Sequence, residues 1–258
     1  GPTPSSARGS RRRSRQLTLP SSRDRILASL DPDALVLDVG GWAKPLKRAD
    51  WVIDLMPYET RGLYGDSGPD PENERFDASR WVQRDICDHE PWPFEDDQFD
   101  FAVCSHTLED VRDPVWVCAE LSRVARAGYI EVPSRLEEQS MGVHAPGWVG
   151  WSHHHWLLDV GEDGIDAVFK SHAIHADERF HFPAWFGAAL TPEERVQTLW
   201  WEGEVRCREV VFTDAEGLDD YLASFVERHR HLCDDRVPAS VRSGGVRRLA
   251  ARARSALT

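Results

Sequence analysis

Two acids and two glycines at fixed spacing offer the first chemistry in this 258-residue sequence. Asp38 is followed by Gly40 and Gly41, and Asp54 closes the apolar run Trp51-Val52-Ile53. Glycines there let a ligand approach the main chain, and an acid ending the next apolar run can accept from both hydroxyls of a ribose. This is the layout of a nucleotide-type cofactor site at the start of an open α/β sheet. A second group alternates imidazole and carboxylate: His106, Glu109 and Asp110, then Glu131, Glu137 and Glu138, then His144 and the run His153-His154-His155. Histidine titrates near neutrality, so His106, His144, His153 and His154 are candidate general bases. The same stretch carries metal-ligating atoms, with Glu109, Glu131 and His153 the set considered for a divalent ion such as magnesium.

The elements that must hold these groups follow from patterning. Residues 34–39 read as a buried strand, 40–41 as a tight turn and 51–54 as a second strand, and the link between them is too short for a full helix. Val82-Gln83-Arg84-Asp85-Ile86 reads as a third strand end, and Phe101-Ala102-Val103-Cys104-Ser105 as a fourth strand. Asp113-Pro114 is a helix start, Val117, Cys118, Leu121 and Val124 recur at helical spacing, and Gly128 is placed to stop that helix before a fifth strand over Tyr129-Ile130-Glu131-Val132. Strands alternating with helices predict a Rossmann-like, doubly wound, mostly parallel α/β sheet in a single domain. The carboxyl ends of the fourth and fifth strands would bring His106 near Glu131 in the ligand crevice. Beyond them, 156–160 and 167–170 read as strands, and 205–212 as a returning antiparallel edge strand. Thr191-Pro192-Glu193-Glu194 reads as a capping box before a helix through Trp201, and Leu218, Tyr221, Leu222, Phe225 and Val226 form one helix face.

Composition bounds the partners. The net charge is −13, but residues 1–25 and 228–258 each carry +6, so residues 26–227 carry −25. An acidic body disfavours nucleic acid and anionic membrane. The five cysteines lack Cys-x-x-Cys spacing, and Cys104 and Cys118 fall on apolar positions as reduced core residues. With no apolar run of membrane-spanning length and no signal-peptide pattern, the expectation is a cytoplasmic protein. The division predicted is a disordered basic tail over 1–22, a sheet domain over 23–213 with a post-core insertion over 135–204, and a helix with a basic tail over 214–258. Trp148, Trp151, Trp156, Trp185, Trp200 and Trp201 make the post-core region rich in flat faces that stack on sugars and planar rings.

Val36-Leu37-Asp38-Val39-Gly40-Gly41, Asp54, Arg84-Asp85-Ile86, Pro93-Phe94 with Phe99-Asp100, and Ser105-His106-Thr107-Leu108-Glu109-Asp110-Val111 together resemble the class I S-adenosylmethionine-dependent methyltransferases of the type 11 group. The resemblance implies S-adenosylmethionine as cofactor. Asp38, Gly40 and Gly41 would line its methionine and ribose side, Asp54 and Leu55 its ribose, and Asp85 and Ile86 its adenine, with Ser105 and His106 near the sulfonium. It also implies transfer to a small-molecule acceptor, first a hydroxyl of a sugar-containing or other metabolite in a bacterial glycan or natural-product pathway. N-methylation of a small molecule and a non-catalytic methyltransferase-like binding protein are the alternatives, and a homo-oligomer is compatible with either.

Overall fold

The computed structural model describes residues 18–62, 68–162 and 164–238. Helix α1 (Pro20–Ser29) starts on a proline, where a missing N–H costs nothing. Strand β1 (Val36–Val39) is buried along its length, as a central parallel strand must be when both faces are covered. Strands β2 (Trp51–Asp54), β3 (Trp81–Gln83) and β4 (Phe101–Ser105) follow, then helix α2 (Pro114–Val124) and β5 (Ala127–Pro133). The Asp113 side chain caps α2 by accepting from Trp116 N–H at 2.9 Å. The strands pair in parallel in the order β3-β2-β1-β4-β5.

The second half adds α3 (Arg135–Glu138), β6 (Trp156–Gly161), β7 (Gly164–Phe169), α4 (Ala184–Ala189), β8 (Val196–Glu202), β9 (Cys207–Glu209) and α5 (Ala215–Asp234). β8 runs antiparallel along β5, with Ala127 opposite Glu202 and Pro133 opposite Val196. β6, β7 and β9 form a separate three-stranded sheet. The mostly parallel, Rossmann-like α/β sheet with an antiparallel edge is therefore present, but its edge strand is not the segment expected. The capping box at Thr191–Glu194 does form, Thr191 N–H donating to Glu194 Oε2 at 2.9 Å and Glu194 N–H to Thr191 Oγ1 at 3.3 Å. Only one 3₁₀ turn follows it. Val196, Thr198, Trp200 and Trp201 favour extended chain, and a ladder along the whole of β5 outweighs the helix start. The segment 205–212 keeps three strand residues, and they join β7.

Gly128 does not stop α2, which ends at Val124; it lies inside β5. A Cβ there would sit 2.4 Å from the Ala102 carbonyl oxygen and 2.6 Å from the Trp201 ring, so the glycine lets β4 and β8 close on the strand. The basic tail expected over 1–22 yields to structure at its end, because Leu19 is buried and α1 begins at Pro20. Residues 1–17 and 239–258 lie outside the described residues.

Each face of the sheet has its own cover. Ile26 of α1 packs with Val36, Val52, Phe101 and Tyr129 on one face, and Arg25 lies 4.1 Å over the Trp200 ring. On the other, α2 covers β4 and β5. Leu37, Val39 and Ile53 are met by Trp92, Phe94 and Phe99 from the β3–β4 connection. Among the described residues, no α-helix links β1 to β2, β2 to β3 or β3 to β4.

Candidate active site

The glycine turn works at close quarters. Gly40 has φ +74°, in the left-handed region that glycine tolerates, and its N–H donates to Ile53 O at 2.9 Å. A Cβ on Gly40 would lie 2.1 Å from Thr107 Oγ1, and one on Gly41 2.4 Å from Asp38 Oδ2. The two glycines thus admit the chain's own Thr107 and Asp38. Asp38 is buried and accepts from Leu46 N–H at 2.7 Å; burial, with the neighbouring Asp54 charge, pushes its carboxyl up to about 7. Asp54 accepts from Trp42 N–H at 2.9 Å and from Met56 N–H at 2.8 Å, one on each oxygen, and burial raises its pKa. A second lone pair on each oxygen remains for a diol. Leu55, beside it, is 62% exposed.

Asp85 at the end of β3 accepts from Cys87 N–H at 2.9 Å and from Arg112 Nη2 at 2.6 Å, while Ile86 is buried. Asp85 and Arg112 also stand on the wall of a cleft of about 1060 Å³ that runs past Pro114 and Trp156. That cleft shares no lining residue with the histidine group, so its size does not locate the chemistry. Asp38, Gly40, Gly41, Asp54 and Leu55 gather at the carboxyl ends of β1 and β2, with Asp85 and Ile86 beyond β3.

His106 stands where β4 ends. Its N–H donates to Glu131 O at 2.8 Å, and its φ of +53° is rare away from glycine, a kind of strain found at functional sites. The turned imidazole is buried, with Nδ1 3.4 Å from Glu109 Oε1 and Nε2 3.3 Å from Glu131 Oε1. Burial works to raise the Glu109 pKa, yet the bond to His106 and the charges of His106 and His154 hold it below the usual carboxylate range. Glu131 is wholly buried and also accepts from Leu19 N–H, at 3.2 and 3.1 Å to its two oxygens, and from the Tyr129 hydroxyl. Thr18 Oγ1 donates to Ser105 Oγ at 3.1 Å, so the start of α1 is fastened to the crevice.

Of the histidine run, only His154 is buried. Its Nδ1 bonds Glu138 Oε1 at 2.7 Å, and Lys170 Nζ donates to the other Glu138 oxygen at 2.5 Å. Glu138 projects from α3, whose cap is Ser134 accepting from Glu137 N–H at 3.3 Å. Its burial favours a neutral acid, but His154 and Lys170 bring the pKa down to about 2. His154 Nε2 lies 3.8 Å from Asp110 Oδ1. Trp151 stacks on His154 with ring centres 5.8 Å apart, and His153 meets it edge-on at 4.6 Å. His144 bonds Ser152 Oγ at 2.6 Å and stacks on Trp151.

Ligating atoms of Asp110, His153 and His154 lie within 4.8 Å of one another. Of the metal set considered from sequence, His153 belongs to this convergence, whereas Glu109 and Glu131 face His106 and Glu137 pairs with Arg195. Lys170 and Thr107 had no role in the sequence reading. Neither sits in a spacing pattern with its partner, and Lys170 meets Glu138 across 32 residues.

Residues 66–130 match the family model described as a methyltransferase domain. Over these residues the chain is similar to that family. The matched segment reaches from ahead of β3 into β5. No curated protein matches the sequence. Similar solved structures include a complex of the Haloferax volcanii Trm112 methyltransferase activator (18% identity, 43% of this chain and 50% of that chain, TM-score 0.32). An S-adenosylmethionine-dependent methyltransferase from Aquifex aeolicus (19%, 43% and 62%, 0.31) and the [4+2]-cyclase SpnF (20%, 43% and 43%, 0.33) are others. The chain spans about half the length of the first of these. Among the described residues, no helix is long and apolar enough to cross a membrane.

Proposed function

We propose that the protein is a cytoplasmic enzyme that transfers a methyl group from S-adenosylmethionine to a hydroxyl of a small acceptor, sugar-containing or another polyhydroxylated or aromatic metabolite. The observation that carries this reading is the Glu138-His154 pair beside a methyltransferase sheet: Glu138 accepts from Nδ1, so Nε2 is the nitrogen directed toward Asp110 and the crevice. Asp38, Asp54 and Leu55 would hold the cofactor, whose sulfonium supplies an already activated methyl group. The protein's task is then alignment and removal of one proton. The acceptor O–H proton leaves toward the Asp110-His153-His154 group as oxygen bonds the methyl carbon, the carbon–sulfur bond breaks and S-adenosylhomocysteine departs. Trp151 offers a flat face beside these histidines for a ring-shaped acceptor.

A second reading, a binding protein without turnover, is favoured by the Thr107 side chain lying over Gly40. Calorimetric titration with S-adenosylmethionine and S-adenosylhomocysteine decides whether the cofactor site works. Micromolar binding is expected, and Asp54→Ala should weaken it by about 1–3 kcal/mol by leaving ligand hydroxyls unpaired. No binding of either compound would make the second reading the better one.

The Asp38 carboxyl adds a pH signature. Because its pKa is about 7 without ligand, and a cationic sulfonium favours the carboxylate, binding below that pH must expel a proton. Affinity should therefore fall as pH drops from 7.5 to 6, by at most about tenfold per unit. Asp38→Asn should flatten the dependence; an unchanged slope in that variant would separate Asp38 from the cofactor.

A further inference from the structure

We propose that Asp110, His153 and His154 form a binding site for a divalent transition-metal ion. Three donors of two kinds, two imidazole nitrogens and one carboxylate oxygen, converge within 4.8 Å. Metal–nitrogen and metal–oxygen bonds of about 2.0–2.2 Å place neighbouring ligand atoms roughly 3–4 Å apart, and the His154-Asp110 separation of 3.8 Å falls in that range. His153 is exposed, so its ring can adjust by rotation to complete the set.

The surroundings of His154 are those of a ligating histidine. Metal-bound histidines usually donate their other ring N–H to a carboxylate, which fixes the tautomer and turns the second nitrogen's lone pair toward the ion. Glu138 accepts from Nδ1 in this way at 2.7 Å and is itself held by Lys170 at 2.5 Å. Trp151 on the ring face restricts rotation. Two imidazoles with one carboxylate suit zinc, manganese, cobalt or nickel better than magnesium or calcium, which prefer all-oxygen sets. This donor choice differs from the Glu109, Glu131 and His153 set suggested by the sequence alone, since those glutamates serve His106.

Binding of the ion stands apart from methyl transfer, but its chemical use rests on the function proposed above. A bound dication acidifies a coordinated hydroxyl. With the ion bound, His154 would serve as ligand, and the proton of the acidified hydroxyl would pass to water.

The test uses the full chain after chelator treatment, titrated with Co²⁺ under visible absorption and with Zn²⁺ by competition. One equivalent should bind with a ligand-field spectrum. Asp110→Asn and His153→Ala should weaken it more than about 100-fold, because changes in outer-shell partners alone cost 10–100-fold. Both lie toward the surface, so folding is expected to survive, and a melting curve checks it. Lys170→Met should weaken binding to a smaller degree, and His175→Ala should not affect it. Equal affinity in wild type and His153→Ala, or no one-to-one binding of either ion, overturns the proposal. Metal binding without binding of S-adenosylmethionine would keep the site and remove the methyl-transfer reading instead.

Discussion

Replacing His154 by alanine is expected to lower methyl transfer by about 10²–10⁴-fold, the usual contribution of a positioned acid–base group. Affinity for S-adenosylmethionine should stay the same, because the assigned cofactor residues lie on β1 and β2 while His154 is held by α3 and Lys170. The measurement is transfer of labelled methyl to an acceptor found by screening glycosides and phenols, with cofactor titration in parallel. Since His154 is buried, its loss could disturb packing, and Glu138→Gln supplies a second variant that keeps the volume and removes the carboxylate that orients the ring. Normal turnover in both would move the proton acceptor elsewhere, with His106 next to be examined.

Glu131→Ala should reduce unfolding free energy by about 3–5 kcal/mol, the cost of removing one partner from a buried charged network. The carboxylate is wholly buried and serves Leu19 N–H, the Tyr129 hydroxyl and the neighbouring His106 Nε2. Removing it leaves these groups without their acceptor, and an unmet buried donor costs about 1–3 kcal/mol on its own. Denaturant unfolding followed by tryptophan fluorescence measures the effect, with Trp200 reporting because Arg25 of α1 packs on its ring. Glu131→Gln, whose amide oxygen still accepts, should cost less than alanine. A loss under about 1 kcal/mol for alanine would mean that α1 docks through Ile26 and Arg25 alone.

The first five strands could be read because each is a short apolar run bounded by turn residues, and Asp113-Pro114 marks a helix start in any context. The second half was less legible. Val196–Glu202 is preceded by a true capping box, and what makes it a strand is its partner β5, whose paired residues lie 63 to 75 positions away in sequence. Gly128 reads as a helix stop because a glycine after helical spacing commonly is one; the need for space beneath Trp201 exists only once β8 is in place. In the site, the sequence marks which residues can do chemistry but not which face one another. His153, His154 and His155 are equivalent on paper, and the contact that singles out His154 comes from Glu138 and Lys170, on two other elements.

The scarcity of crossover helices around β1, β2 and β3 bears on how the molecule breathes. On one face that half of the sheet is covered by side chains from a loop, Trp92, Phe94 and Phe99, without an intervening helical hydrogen-bond ladder. Lifting such a loop costs packing but breaks little secondary structure, which is the profile of a low-energy opening unit in native-state hydrogen exchange. The amides of β2 and β3 should then exchange through local opening, while those of β5, laddered on both sides by β4 and β8, await global unfolding. Occupancy of the crevice would be recorded as slowed exchange concentrated in the strands that carry Asp38 and Asp54.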